Sequence, residues 1–266
     1  MKLCCNSHSY SQMLAAGALT QLEWVDLCAH ELMLDGVEFA AAHFPRSDDD
    51  YLAQLKKLCV DRCLTVAAYY HDEPFDSSDA DNSARALVQS ISSAAALGAP
   101  LVRFGTATAS GSAGLGWREM IRGLKSACID AKVRNVVLAL EPRPGTLIVT
   151  PVDAKRVLKE CDSAWLRCAL SAECLAGSQA GEWNVALEDT IFISASVVRL
   201  DTFGADEVID YIAVLTHLWQ KCYRGFLSLE YRGAAPEAPA VRNSVAWLRS
   251  MMAKDTLRSA ATEPVA

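Results

Sequence analysis

Eight short apolar runs typical of β-strands recur along the 266-residue chain, and this repeat most constrains its fold. Their centres lie 29 to 36 residues apart. The runs cover residues 2–6, 35–39, 64–70, 100–104, 135–140, 165–170, 196–200 and 225–230. A strand, a helix and two short loops need about 30 residues, so the repeat predicts an α/β fold with one closed parallel sheet, a single (β/α)8 TIM barrel. We expect the barrel over residues 1–252 and a mobile C-terminal tail over 253–266.

The composition narrows the class of protein. Hydrophobic residues make up 52% of the chain and charged residues 21%, which is typical of a globular domain. The net charge of −7, with no basic patch in the sequence, argues against nucleic acid as a partner. No run approaches the ~20 apolar residues of a membrane span, and the N-terminus has no signal-peptide pattern, so we predict a cytoplasmic protein without a membrane partner. A homo-oligomer is left open.

Local signals place several helix boundaries. Thr20 and Glu23 form a predicted capping box, and Thr150 precedes a proline in the manner of an N-cap. Asn82 is the predicted cap of the helix that ends near residue 98. A further helix is expected over residues 205–220 from its apolar periodicity.

The longest irregular segment, GTATASGSAGLG at residues 105–116, directly follows the fourth run. Its glycines are compatible with a plain loop over the barrel or with a cradle of backbone N–H groups for a phosphate. The segment lacks the Gly-Lys-Ser/Thr ending of a P-loop, which favours the plain loop.

Polar side chains follow most of the strand-like runs. In a parallel barrel the C-terminal ends of the strands converge on one mouth, so we expect these side chains to form a ring there. The ring comprises Asn6, His8, Tyr10, Glu38, His43, His71, Arg103, Glu141, Ser171, Glu173, Cys174, Arg199, Asp201, Glu230 and Arg232. Glu141 and Glu230 are the strongest candidates, because each ends an apolar run, where a carboxylate is costly unless it is paired, bound to metal or used.

Several motifs resemble those of a known superfamily. LGAPLVRF, VVLALEPRPG and GFLSLEYRG are similar to segments of the sugar phosphate isomerase/epimerase superfamily, the xylose-isomerase-like TIM barrels. The resemblance extends to about residue 250. It implies a barrel whose fifth and eighth strands supply two glutamates that bind a divalent metal and move a proton next to a carbonyl. Those glutamates match Glu141 and Glu230.

The other two metal ligands of that superfamily are not matched. The resemblance places Ser171, followed by Cys174, where the family has an aspartate on strand six. It places Arg199 where the family has a histidine on strand seven. We therefore hypothesise that Arg199 lies between Glu141 and Glu230, neutralises both and takes the place of the metal.

The metal expectation follows from that hypothesis. We expect no metal held in the family's way, with either no cofactor or a weakly held Mn, Mg, Co or Zn ion. If a metal binds, the expected ligands are Glu141 and Glu230 with Glu173 or Asp201, and Cys174 is a further candidate for a displaced site.

Three functions are compatible with these residues. The first is an isomerase or epimerase acting on a sugar or polyol-like substrate, with Glu141 and Glu230 as the acid/base pair. The second is a metal-free lyase or dehydratase that begins with the same proton abstraction. The third is a non-catalytic sugar-binding or regulatory relative. The predicted substrate-binding residues are His8, Glu38, His71, Arg103, Arg199 and Asp201. An abasic-site endonuclease fits poorly, because its multi-zinc cluster is not matched.

Overall fold

The computed structural model describes residues 1–108, 113–176 and 180–253, and within them eight parallel strands close into one barrel. Each strand pairs with the next along the chain, and the eighth pairs with the first. The strands are β1 (Lys2–Asn6), β2 (Gly36–Ala40), β3 (Thr65–Tyr70), β4 (Leu101–Phe104), β5 (Val137–Leu140), β6 (Leu166–Ser171), β7 (Thr190–Val197) and β8 (Phe226–Tyr231). The single (β/α)8 TIM barrel predicted from the repeat is confirmed.

Helices cover the outside of the barrel. They are α1 (Ser11–Ala15), α2 (Gln21–His30), α3 (Asp49–Asp61), α4 (Ala80–Leu97), α5 (Ala113–Arg134), α6 (Pro151–Cys161), α7 (Ala172–Leu175), α8 (Asn184–Leu187), α9 (Tyr211–Gln220) and α10 (Glu237–Ala253). Short 3-10 turns occur at Ser7–Tyr10, Ala41–His43 and Ser77–Asp79. Nearly all of the predicted tail, residues 254–266, and part of the predicted glycine loop, residues 109–112, lie outside the described residues. Within the described ranges, no helix is long and apolar enough to cross a bilayer.

Seven strands agree with the sequence within about two residues, but the seventh was misplaced. The prediction put it at 196–200, whereas β7 covers Thr190–Val197. The chain leaves the sheet after Val197, because the Asp206 carboxylate accepts hydrogen bonds from the backbone N–H groups of Val198 and Arg199. Val198 and Arg199 therefore belong to an exposed loop, although residues 196–200 have the apolar pattern of a strand.

The predicted helix boundaries were confirmed in part. Both predicted caps at Thr20 and Thr150 are complete capping boxes. Asn82 is not an N-cap, since α4 already begins at Ala80. The helix expected over residues 205–220 starts only at α9, where the Asp210 side chain accepts from two backbone N–H groups.

The barrel interior is built in two layers that follow the alternation of side chains along each strand. The lower layer is small or apolar and packs as one cluster that includes Cys4, Ala68, Leu101, Ala139, Ala169 and Phe192. Two residues further along the same strands, the side chains are polar or aromatic and lie at the mouth: Asn6, Tyr70, Arg103, Glu141, Ser171 and Ser194. A step of two residues keeps a side chain on the same face, so the lower layer supports the site directly.

A substitution of Gly36, at the start of β2, tests how tightly the bottom of the barrel is packed. A Cβ atom on Gly36 would lie 2.5 Å from the Thr65 carbonyl oxygen and 3.1 Å from the Phe226 ring. We expect Gly36→Ala to lower the free energy of unfolding by about 1–3 kcal/mol through overpacking. Gly114→Ala is the control, because its Cβ meets nothing within 4 Å, and urea unfolding should show no loss and at most a gain of about 1 kcal/mol, since alanine favours the helix α5. Equal stability of the two variants would contradict this.

Candidate active site

Arg103, on β4, lies at the centre of the mouth and is fully buried. Its guanidinium donates to three carboxylates that come from three other strands. Nε lies 2.6 Å from Glu38 Oε1, Nη1 lies 2.9 Å from Glu141 Oε2, and Nη2 lies 3.5 Å from Glu230 Oε2. The guanidinium carbon also lies 4.1 Å from the centre of the Tyr70 ring. One cation therefore connects β2, β5 and β8 across the barrel.

Two outer arginines each neutralise one of the glutamates. Arg143 donates to Glu141 Oε2 from Nε at 2.8 Å and from Nη2 at 2.5 Å. Arg232 donates to Glu230 Oε1 from Nε at 3.0 Å and from Nη2 at 2.8 Å. Each arginine follows its glutamate by two residues, so the sequences Glu-Pro-Arg and Glu-Tyr-Arg form the same unit on β5 and β8. The cluster of three glutamates and three arginines is formally neutral.

The surroundings of Glu141 keep its carboxylate ionised. Burial works to raise its pKa, but the charges of Arg103 and Arg143 and a hydrogen bond from the Ser194 hydroxyl outweigh it and lower the pKa from 4.5 to about 2. Both carboxylate oxygens are engaged, since Ser194 donates to Oε1 and the arginines to Oε2. Burial lowers the pKa of Arg103, but the glutamates around it raise it well above its usual range. Glu141 is therefore held as an anion with little freedom to move.

The mouth contains two cavities that meet at Arg232. One, of about 390 Å³, lies over β5 to β7 and is lined in part by Arg143, Glu173, Cys174 and Trp183. Ser171, Ser194 and Ser196 also line this cavity. The other, of about 440 Å³, lies over β1, β3 and β8 and is lined in part by His8, Ser11, Tyr70, Asp72 and Glu230. Arg143 and Arg232 are 31% and 45% exposed, so their remaining N–H groups can reach a ligand.

The residues at the mouth do not match the four-ligand metal site that the resemblance implies. The two glutamates already bind guanidinium groups, and β6 and β7 present the hydroxyls of Ser171, Ser194 and Ser196. Hydroxyls are weaker ligands for a divalent metal than carboxylate or imidazole, and a buried guanidinium repels a cation. Among residues 1–108, 113–176 and 180–253, no group of three His, Cys, Asp or Glu side chains could hold a metal.

The position predicted for Arg199 was wrong. Arg199 is exposed and pairs with Glu207 at the surface, two residues past the end of β7. The side chain between Glu141 and Glu230 is Arg103 instead. The error follows from the misplaced seventh strand: β7 brings Ser196 into register with Glu230, and Arg199 comes three residues later.

Asp201 and His71 are also placed away from the mouth cavities. The Asp201 carboxylate accepts from the backbone N–H groups of Phe203 and Ala205 and so shapes the loop after β7. His71 follows Tyr70 by one residue, and alternation turns it outward, where its Nδ1 lies 2.8 Å from Ser90 Oγ on α4. His8, Glu38 and Arg103 do lie at the mouth, and Glu173 lines the cavity over β5 to β7.

Sequence reasoning missed several residues of the site. Arg143 could have been found from the repeated Glu-x-Arg pattern at the ends of two strands, since Arg232, the matching residue after β8, was part of the predicted ring. Ser194 was missed because its strand was placed too late. Tyr70 and Asp72 gave no signal of their own, since a tyrosine inside a strand and an aspartate after it are common in any barrel.

The comparisons with known proteins agree with this architecture. A family profile described as "Xylose isomerase-like TIM barrel" matches residues 28–172, which is more than half of the chain. No protein with curated function matches the sequence at a significant level. The chain belongs to the xylose isomerase-like TIM barrel family.

Solved structures similar to this chain share its fold at low identity. A 3-keto-D-glucoside 4-epimerase from E. coli is 18% identical with a TM-score of 0.75, covering 94% of this chain and 99% of that one. An L-ribulose 3-epimerase is 16% identical with a TM-score of 0.78, covering 99% of both chains. A family 2 AP endonuclease from Brucella melitensis is 18% identical with a TM-score of 0.74, covering 94% and 99%.

The lowered pKa of Glu141 predicts how the free energy of unfolding changes at acid pH. A carboxyl whose pKa is lower in the folded state stabilises the fold above its unfolded pKa, and the effect disappears as the pH falls through the folded value. Glu141→Gln removes this titration and leaves two arginines short of a partner, so it should cost about 3 kcal/mol near neutral pH. We expect this deficit to shrink between pH 4.5 and 2, measured by urea unfolding against wild type.

Glu31→Gln is the control for that measurement. Glu31 pairs with Arg242 in an exposed ion pair, where removal should cost about 0–1 kcal/mol. A Glu141→Gln deficit that stays constant down to pH 2 would contradict the assigned pKa.

Proposed function

We propose that the protein is a sugar isomerase or epimerase-like enzyme that moves a proton next to the carbonyl of a sugar or polyol-derived substrate without the family's divalent metal. The observation that carries the proposal is the Arg103 guanidinium bridging Glu38, Glu141 and Glu230. The fixed charge of Arg103 neutralises part of the negative charge of the three carboxylates. The N–H groups of Arg143 and Arg232 that do not bind the glutamates can then donate to a substrate oxygen.

Glu230 is the proposed general base. Its Oε1 accepts from Arg232, whose side chain is half-exposed, but its Oε2 has only the long 3.5 Å contact with Arg103. That oxygen is the least engaged of those on Glu141 and Glu230. Glu141 is proposed to orient Arg103 and Arg143 instead, because a carboxylate with a pKa of about 2 and two engaged oxygens is a weak base.

The arginines are proposed to stabilise the oxygen that becomes negative when the proton leaves. Guanidinium N–H groups form short, charge-assisted hydrogen bonds to an oxyanion, and donors placed in advance lower the barrier. Arg143 and Arg232 border the cavities and keep N–H groups that Glu141 and Glu230 do not use.

A sugar-like ligand is supported by the lining of the cavity over β5 to β7. Its hydroxyls, guanidinium groups and the Glu173 carboxylate alternate donors with acceptors, as a polyhydroxy compound requires, and Trp183 offers an apolar ring. Structures with this fold include a D-psicose 3-epimerase and an L-ribulose 3-epimerase, named for ketose substrates.

A second candidate, a sugar-binding protein without catalysis, is favoured by one observation. Glu141 accepts from Arg103, Arg143 and Ser194, so one of the two glutamates that the resemblance assigns to the acid/base pair is fully engaged by the protein itself. Such a protein would keep the cavity and the donors but would not exchange the substrate proton.

Deuterium exchange separates the two candidates. We expect deuterium to enter the carbon next to the carbonyl when the protein is incubated in D2O with D-fructose, D-psicose or D-tagatose, followed by NMR. Glu230→Gln should lower the exchange by at least about 100-fold, since general base catalysis contributes 10²–10⁴-fold. Glu207→Gln, which alters an exposed ion pair, is the control. Thermal stabilisation by a ketose without exchange would instead support the binding protein.

Metal independence is tested on the same reaction. We expect protein purified without chelator to contain no stoichiometric Mn, Mg, Co or Zn by elemental analysis, and its exchange rate to be unchanged after EDTA. One equivalent of metal that is lost in both Glu141→Gln and Glu230→Gln would show that the carboxylates bind metal and would contradict the role assigned to Arg103.

A further inference from the structure

The cavity over β1, β3 and β8 contains a second group of titratable side chains beside Glu230. His8 and Ser11 line this cavity together with Asp72 and Glu230. Ser11 Oγ lies 3.2 Å from His8 Nδ1, and His8 Nε2 forms a short contact with Asp72 Oδ1. These contacts connect a carboxylate, an imidazole and a hydroxyl in series, and all three side chains line the cavity.

The segment that carries Ser11 is fixed against the strand that carries Glu230. Ser9 Oγ donates to the Leu229 carbonyl oxygen at 3.1 Å and accepts from the Tyr231 backbone N–H at 2.9 Å. Leu229 and Tyr231 are the two neighbours of Glu230 along β8. The Ser9 hydroxyl therefore fixes this segment against β8, and Ser11 and Glu230 line the same cavity.

The neighbouring hydroxyls are compatible with a neutral His43 that carries its proton on Nε2. Ser7 Oγ accepts from the Ala40 backbone N–H at 3.0 Å and lies 2.8 Å from His43 Nδ1, so it can donate its own proton to that nitrogen. In that tautomer His43 donates its Nε2 proton to Ser11 Oγ at 3.3 Å. Burial and the nearby His8 lower the pKa of His43, which agrees with a neutral ring.

The same reasoning assigns the proton positions on His8. Ser11 donates its hydroxyl proton to the His8 carbonyl oxygen at 2.9 Å, so its lone pairs accept from His43 Nε2 and His8 Nδ1. Asp72 accepts from His8 Nε2, and its other oxygen accepts from the Ala42 N–H at 2.7 Å. The relay requires His8 to carry a proton on each ring nitrogen, an arrangement in which every one of these contacts has one donor and one acceptor.

Nucleophilic attack by Ser11 is disfavoured by the residues that follow it. An acyl-enzyme needs N–H donors for its oxyanion. The next two backbone N–H groups, of Gln12 and Met13, already bind the Glu237 carboxylate at 2.8 and 3.0 Å. Transfer of a proton through Ser11 needs no such donors.

We propose that Ser11 is the catalytic partner of Glu230 and passes a proton from His8 to the substrate oxygen, with His8 and Asp72 acting through it. The proposal rests on the proposed function. It assigns the role of general acid to Ser11, on the β1 side of the mouth. With Glu230 as the base, the resemblance would give that role to Glu141.

The step balances as follows for a ketose. Glu230 takes the proton from the carbon next to the carbonyl, and the C–H electron pair forms the C=C bond of an enediol. The Ser11 hydroxyl turns from the His8 carbonyl oxygen to the substrate oxygen. The carbonyl π pair moves to that oxygen, which takes the hydroxyl proton of Ser11, while Ser11 takes the Nδ1 proton of His8. Glu230 is then neutral and His8 is a neutral imidazole. The reverse transfers, to either carbon, restore both groups.

Single and double variants test the relay with the ketohexose that shows exchange in D2O. We expect Ser11→Ala and His8→Gln each to lower kcat by about 100-fold with little change in KM, because the group acts on proton transfer. Ser11→Thr, which keeps the hydroxyl, should recover most of the activity. The double variant should be no slower than the slower single one, because residues that act as a unit are not additive. His30→Gln, an exposed histidine on α2, is the control.

The outcomes distinguish the relay from the proposed function. Exchange in wild type with a Ser11→Ala rate within about twofold of it would overturn the relay alone. Multiplying losses in the double variant would do the same, because they would indicate independent roles. Covalent labelling of Ser11 by a fluorophosphonate would replace the relay by a nucleophile. No exchange by wild type with any ketose would overturn both proposals.

Discussion

The ion cluster centred on Arg103 is the interaction on which the mouth of this barrel depends. A buried guanidinium is costly in free energy unless several acceptors surround it, and a buried carboxylate has the same requirement. Glu38, Glu141 and Glu230 supply the acceptors that surround the Arg103 guanidinium. Arg103 and the outer arginines in turn supply the donors that the buried carboxylates need. Removing any one member leaves a buried charge without one of its partners, so the residues at these positions are coupled through their charges.

Side-chain alternation explains why the cluster forms where it does. On β4, Leu101 contributes to the apolar lower layer, and Arg103, two residues later, reaches the same interior one level higher. The same step separates Ala139 from Glu141 on β5. The apolar layer packs directly below the charges. Low local polarity there strengthens each ion pair and hydrogen bond above it.

A guanidinium differs from a metal ion in how it constrains the site. Its donors lie in one plane, its position is set by the backbone of β4, and it neither dissociates nor exchanges ligands. In the proposed mechanism the charge at the centre is therefore permanent, and specificity depends on the arginines at the rim and on the hydroxyls of β6 and β7. His8 and Asp72 lie on the opposite side of Arg232, so the two halves of the mouth offer different chemistry to the two ends of a substrate.

The sequence by itself determined the barrel and two of its glutamates. Strand spacing and helix caps are local, and a carboxylate that ends an apolar run is visible without any contact, so Glu141 and Glu230 could be singled out. The arginine between them could not, because which cation faces them depends on the register of the strands. The apolar run at 196–200 has the pattern of a strand, but hydrogen bonds to the Asp206 carboxylate direct residues 198 and 199 into a loop. The position predicted for Arg199 was wrong for that reason. Only the closed sheet brought Arg103 from β4 to carboxylates 38 and 127 residues away, and Asp72 to His8 across 64 residues.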